Sequence, residues 1–179
     1  MSSSLDFRRD VRSTEQFQKD VKDATFRERL LVNDWIDEMA KRGFKVTAED
    51  NGIDNSGELV EQSDCRPDYK VTCGKKSALF EVKQNVYSHK QTFKVYDLQQ
   101  YIKMGAKILL FYGIGTNAEI TSDSRWAIIK PEAMQRMLAE LPHEDGGAKW
   151  GNKTVVILYK EKYPDYFQSE SFRIYGKST

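Results

Sequence analysis

Three side chains in this sequence have the types and the spacing to work on a phosphodiester. Asp68 follows Pro67, and after twelve intervening residues Glu81 and Lys83 flank Val82. Two carboxylates brought close together repel each other unless a proton or a cation stands between them. Magnesium suits such a place, because it takes hard oxygen ligands and keeps several of its waters. A bound divalent cation lowers the pKa of a water and neutralises charge growing on a phosphate oxygen. A lysine beside it can orient the attacking water or stabilise the pentacovalent phosphorus.

The surrounding sequence contains elements able to hold these groups. Residues 67–73 read as a strand, Cys73-Gly74-Lys75-Lys76 as a turn, and 77–83 as a second strand. Side chains alternate along a strand, so Glu81 and Lys83 share one face, while Phe80 and Val82 turn toward the core. The hairpin is therefore expected to present Asp68, Glu81 and Lys83 together. Upstream, Ser13-Thr14 with Gln16 resembles a helix start, apolar residues then recur at helical spacing as far as Arg42, and Gly43 supplies a stop. The apolar seam of that helix runs Phe17, Val21, Ala24, then Leu31, Trp35, Met39, and Glu28 fills the gap in the rhythm. A carboxylate on a buried stripe is costly unless it is paired or metal-bound. Two readings of Glu28 follow: a rim residue paired with Arg27 or a lysine, or a member of the site.

Downstream, residues 44–48 alternate like a short strand, and Glu49 to Arg66 reads as an acidic loop. Residues 85–91 read as loop, and 92–104 as a helix ending at Gly105. Residues 107–112 form a buried-type strand, and 125–129 a strand running into a helix that opens at Pro131 and ends near Leu141. A loop spans 142–153, a strand 154–159, and an edge strand lies beyond Pro164. The simplest architecture is one α/β domain over 13–179, with a mixed central β-sheet flanked by helices, behind a frayed tail at 1–12.

Pro67-Asp68 with Glu81-Val82-Lys83 resembles the signature of the PD-(D/E)xK nuclease superfamily, which includes restriction endonucleases, Holliday junction resolvases and recombination exonucleases. The resemblance covers Glu28 through about Tyr112 in the order helix, strand, hairpin, helix, strand. It implies a restriction-endonuclease-like core, with Mg2+ (or Mn2+ in its place) held by Asp68, Glu81 and the Val82 carbonyl. Lys83 is then the catalytic lysine. Resolvase-like members bring in a glutamate from the first helix, so the resemblance carries Glu28 over as a ligand or water-orienting acid. Exonuclease-like branches carry Gln-x-x-x-Tyr on the next helix. Here the frame ending at Tyr101 begins with Asp97, which weakens an exonuclease assignment, and the expected reading is an endonuclease with double-stranded or branched DNA as its partner. Cutting both strands commonly calls for two sites, which is compatible with a homodimer, although the sequence leaves the oligomeric state open.

Charge distribution points the same way. The net charge of +1 does not favour coating a polyanion through bulk electrostatics. Between Lys70 and Lys107, however, eight lysines face only Glu81 and Asp97, leaving +6. Such a stretch brings a polyanion to a metal site, although a solvated lysine face has the same composition. Within or beside it, Lys70, Gln84, His89, Lys90 and Lys94 are candidate nucleic-acid contacts, and Tyr87, Phe93, Tyr96 and Tyr101 are candidate stacking residues. Gly74-Lys75-Lys76-Ser77 lacks the upstream glycine of a phosphate-binding loop, and Gly113-Ile114-Gly115 reads as a turn. Cys65 and Cys73 match no zinc spacing and are expected to be reduced and without a special role. No apolar run reaches the ~20 residues of a membrane span, and the first residues lack the order of a signal peptide, so a cytoplasmic protein is expected. Two other functions fit the same residues: a non-catalytic nucleic-acid-binding module, and a nuclease acting on RNA. A structural or inhibitory protein would show no affinity for nucleic acid.

Overall fold

Helix α1 (Thr14–Lys41) follows the later part of the seam read from the sequence, the side chains of Phe17 and Val21 lying outside those described. Leu31, Val32 and Trp35 are buried, Ile36 and Met39 pack beside them, and the chain leaves the helix through Gly43, whose φ of +88° few side chains tolerate. The computed structural model describes residues 14–51, 66–115, 120–121, 123–167 and 169–171. The expected tail at 1–12 and Cys65 lie outside these residues, as do 52–65 of the acidic segment.

Strands β1 (Val46–Asp50), β2 (Tyr69–Cys73), β3 (Lys76–Asn85), β5 (Lys107–Tyr112), β6 (Arg125–Ile129) and β9 (Ser169–Ser171) form a six-stranded sheet in that order. The pair β3–β5 is parallel and the others antiparallel, so the sheet is mixed. Between β3 and β5 the chain crosses through β4 (Lys90–Lys94) and helix α2 (Val95–Met104). Helix α3 (Pro131–Glu140) opens at its proline as expected. Strand β8 (Thr154–Tyr159) pairs with β4 and with the two-residue β7 (Glu144–Asp145) in a separate three-stranded sheet. The fold is thus mixed α/β, with a mixed central sheet flanked by helices.

Two apolar layers cover the sheet. On one face α1 packs on Val46, Tyr69, Val71, Phe80, Val82, Leu109 and Phe111. On the other, α2, α3 and the small sheet enclose Leu98, Ile108, Leu110, Tyr112, Met134 and Leu158. Phe80 and Val82 lie in the core as the alternation of β3 requires.

Several boundaries differ from the sequence reading, among them the start of β2, at Tyr69 rather than 67. The first strand lies at 46–50 rather than 44–48, so Glu49 and Asp50 end a strand instead of starting the acidic loop. The loop expected at 85–91 is shorter, because β3 runs on to Asn85 and β4 begins at Lys90. Residues 92–94 belong to β4, not to α2. Gln91 and Phe93 are buried alternately with half-buried neighbours, a two-residue period that pairing with β8 stabilises, and helical spacing starts only at Val95, Leu98 and Tyr101. The stretch 142–153, read as loop, holds β7 and a 3-10 turn at Ala148–Trp150. Among the described residues no helix is long and apolar enough to cross a membrane.

Candidate active site

The site forms where two strands part. β2 and β3 are in register from Cys73↔Lys76 to Tyr69↔Phe80, and there the pairing ends. Pro67 and Asp68 precede the first residue of β2, and the Asp68 backbone carbonyl turns to the Asn51 N–H at 2.8 Å. The edge of β3 beyond Phe80 has lost its partner strand. The Asp68 carboxylate replaces it: Oδ2 accepts the Val82 N–H at 2.8 Å. In extended backbone the N–H and C=O of one residue point to the same side, so the Val82 carbonyl faces this same notch. Asp68 therefore enters from the strand edge, whereas Glu81 and Lys83 leave from a face of β3.

Glu81 and Lys83 leave β3 on the face opposite Phe80 and Val82, toward α2. Glu81 is only 8% exposed. Its Oε1 accepts from Lys83 Nζ at 2.6 Å, and its carboxylate also accepts a hydrogen bond from the Tyr101 hydroxyl of α2. Lys83 Nζ stands 5.7 Å from the centre of the Tyr101 ring, a cation–π distance. Glu28 reaches in from α1. It accepts a hydrogen bond from the Tyr69 hydroxyl, not from Arg27 or a lysine, and its charge acts on Asp68. An exposed ion pair of Arg29 Nη2 with Asp50 Oδ2, at 2.8 Å, joins the next residue of α1 to β1.

The electrostatics follow from crowding acids in a poorly solvated notch. Burial, then the Glu81 and Glu28 charges, push Asp68 up to about 8, against the relief given by the Val82 N–H and Lys83. Burial, opposed in part by the Tyr69 bond, pushes Glu28 up to about 7. Burial disfavours the Lys83 ammonium, but Glu81 and Tyr101 outweigh it and hold its pKa well above the ordinary lysine value. Tyr69 and Tyr101 are both raised, first by burial and then by the carboxylates around them. One cation thus faces three carboxylates, and repulsion among the acids is left uncompensated.

Among the described residues no three His, Cys, Asp or Glu side chains close on one point as a preformed cage. The donors fit magnesium on other grounds. They are all oxygen, and that ion uses one or two carboxylates and completes its octahedron with water. Asp68, Glu81 and the Val82 carbonyl are the oxygen groups that could hold such an ion.

The remaining candidates are dispersed. Lys70 is exposed opposite Leu79, on the sheet face of Glu81 and Lys83. Gln84 Nε2 donates to the Ala24 carbonyl at 3.1 Å, so it ties β3 to α1 and is turned away from any phosphate at Lys83. His89 is exposed in the link after β3 and Lys90 half-buried at the start of β4, while Lys94 occupies the N-cap position of α2 without a side-chain capping bond. Phe93 and Tyr101 are each 3% exposed and belong to the core, which removes them as stacking residues. Tyr87 and Tyr96 are open. Cys73 is a free, exposed thiol at the hairpin turn.

Sequence reasoning missed Tyr69 and passed over the role of Tyr101. Tyr69 adjoins Asp68 and alternates with Val71 onto the α1 face, a signal present in the pattern. Asp97, which raised doubt about an exonuclease frame, is one turn before Tyr101, and its charge acts on Lys83. Compared with family models, curated proteins and solved structures, the chain matches none, and its functional reading rests on the geometry of this notch.

Proposed function

We propose that the chain is a magnesium-dependent nuclease with a restriction-endonuclease-like core, hydrolysing phosphodiester bonds of DNA as an endonuclease of restriction or resolvase type. The observation that carries this reading is the gathering of Asp68, Glu81 and Glu28 around Lys83 at the notch where β2 leaves β3. A buried excess of carboxylate over cation is unfavourable by itself, and a site of this composition is relieved by a hard divalent ion. Bound there, magnesium supplies a water of lowered pKa and neutralises phosphate charge.

The chain's own groups have distinct tasks. Asp68 and Glu81, with the Val82 carbonyl, hold the ion. Asp68 is itself fixed by the Val82 N–H, so it need not reorganise on binding. Lys83 stays cationic because Glu81 and Tyr101 favour its charged form. It therefore serves as a fixed positive charge for the phosphate rather than as a base. Glu28, held by Tyr69 on the α1 side, orients the attacking water. The +6 stretch from Lys70 to Lys107 draws the polyanion toward the notch.

The test is cleavage of linear, circular and four-way-junction DNA in Mg2+, Mn2+ or EDTA, comparing the wild type with Glu81→Ala. Metal-dependent cutting, lost by about 100- to 1000-fold in the variant as when an essential charge-stabilising group is removed, is the expected result. Binding without cutting would replace this reading with a non-catalytic module, and cutting of RNA alone would reassign the substrate.

A further inference from the structure

Three of the five aromatic residues of the basic stretch are buried, and the two open ones differ in their surroundings. Tyr96 stands on the first turn of α2. Tyr87 stands in the four-residue link between β3 and β4, 47% exposed, beside Val86 at 51%. That link is held from several sides. Asn85 Oδ1 accepts the Tyr87 N–H at 3.0 Å, and Asn85 Nδ2 donates to the Lys90 carbonyl at 2.7 Å and to Gln91 Oε1 at 2.8 Å. The Tyr87 carbonyl accepts the Gly113 N–H at 3.1 Å, and the His89 carbonyl accepts the Lys160 N–H at 2.9 Å. Gly113 has φ +67°, and a Cβ on it would stand 2.5 Å from the Asp123 carbonyl oxygen, so this anchor requires glycine.

The ring of Tyr87 is itself oriented. His89 meets it edge to face at 5.4 Å, and Lys90 Nζ lies 5.5 Å from its centre. The contacts of the Tyr87 ring with His89 and Lys90 leave about half of the residue open to solvent. With an imidazole packed edge to face against it and an ammonium over the ring, its remaining open surface matches what a nucleobase and its phosphate need: a flat area for stacking and positive charge for the backbone. The position fits as well. Tyr87 follows Lys83 by four residues, so the two are separated by at most about 14 Å along extended chain.

We infer that Tyr87, with His89 and Lys90, is a stacking platform for an unpaired base next to the phosphate held at Lys83. The substrate class is nucleic acid with single-stranded or extrahelical bases, because a base inside a continuous duplex offers no free face to the ring. This rests on the nuclease reading of the notch, which supplies the neighbouring phosphate. It also divides the candidate contacts: His89 and Lys90 act as one unit with Tyr87, and Gln84 does not belong to it.

The test uses the full chain in EDTA, with a fluorescein-labelled single strand, the paired duplex of the same sequence, and a single strand carrying 2-aminopurine. Tyr87→Ala is expected to weaken single-strand binding about tenfold, within the range of one lost base–aromatic stack, and to change duplex binding less than about twofold. Tyr87→Trp should retain binding, and 2-aminopurine fluorescence should be quenched by the wild type and by Tyr87→Trp but not by Tyr87→Ala. Equal losses on both substrates, no loss, or the same loss in Tyr96→Ala would overturn the platform. The same proteins in Mg2+ separate the two readings. Cutting that is indifferent to Tyr87 overturns the platform and leaves the nuclease. Tyr87-dependent binding with no cutting overturns the nuclease and leaves the platform. No binding of any nucleic acid overturns both.

Discussion

The two sides of the central sheet are built on different terms. On the α2 and α3 side, Leu98, Ile108, Met134 and Leu158 are fully buried, and the layer is closed by apolar contact. On the α1 side the apolar layer of Leu31, Trp35 and Phe80 stops short of the notch, where Glu28, Tyr69 and Asp68 take over. Strand pairing ends at the same place, at Tyr69↔Phe80. The contrast teaches that apolar packing away from the notch supplies stability, while the notch itself, with Glu28 and Tyr69 entering from the α1 side and Glu81 and Lys83 from the α2 side, accepts a local cost in repulsion to gather charge where backbone has been left open.

The comparison is broken most forcefully by removing bulk from the stabilising side. Leu98→Ala leaves a cavity under α2 and should destabilise the protein by about 2–5 kcal/mol. In a chain of this size that lowers Tm by about 4–20 °C, since each kcal/mol corresponds to about 2–4 °C. Thermal unfolding followed by circular dichroism measures it. A loss well under 1 kcal/mol would mean that α2 contributes little to that layer.

The charged side should respond with the opposite sign. Asp68 and Glu28 ionise at ordinary values of 3.8 and 4.5 but are raised to about 8 and about 7 in the fold. Between about pH 4 and pH 8 the folded state therefore binds more protons than the unfolded one. Their contribution to stability is present at low pH and is lost as pH rises through the folded values. Metal-free protein should melt lower at pH 8 than at pH 5, and Asp68→Asn, whose Oδ1 can still accept the Val82 N–H, should melt higher than wild type at pH 8. Magnesium should raise Tm of the wild type at pH 8 and do little for Asp68→Asn. Calorimetry across that range is the measurement, and a metal-free Tm that rises steadily from pH 5 to pH 8 would contradict the picture of repelling acids.

The smallest expected effect sharpens the boundary between the two sides. Tyr69→Phe keeps the ring in the α1-side core and removes only the hydroxyl that Glu28 accepts from. It should cost about 1 kcal/mol or less in stability. Cleavage should fall more than stability does, because Glu28 loses its orientation. A variant with full activity would show that the Tyr69 bond does not position Glu28.

Much of this was legible in the chain. The seam from Leu31 to Met39, the apolar run at 107–112, the strand at 125–129 entering Pro131 and the strand at 154–159 are local signals, since periodicity and proline chemistry act within a few residues. The spacing from Asp68 to Glu81 and Lys83 placed three chemical groups on one hairpin, and Glu28 stood out as a charge on an apolar stripe. What sequence could not determine was how these groups meet. β4 was hidden inside an apparent helix because its alternation is stabilised only by β8, some 60 residues away in the chain. The tyrosine chosen for exposure, the commitment of Gln84 to Ala24 and the entry of Asp68 from the strand edge depend on contacts between distant segments. Residue type and spacing determined which chemistry was available; only tertiary packing decided which groups are buried, which are paired, and which are left facing one another.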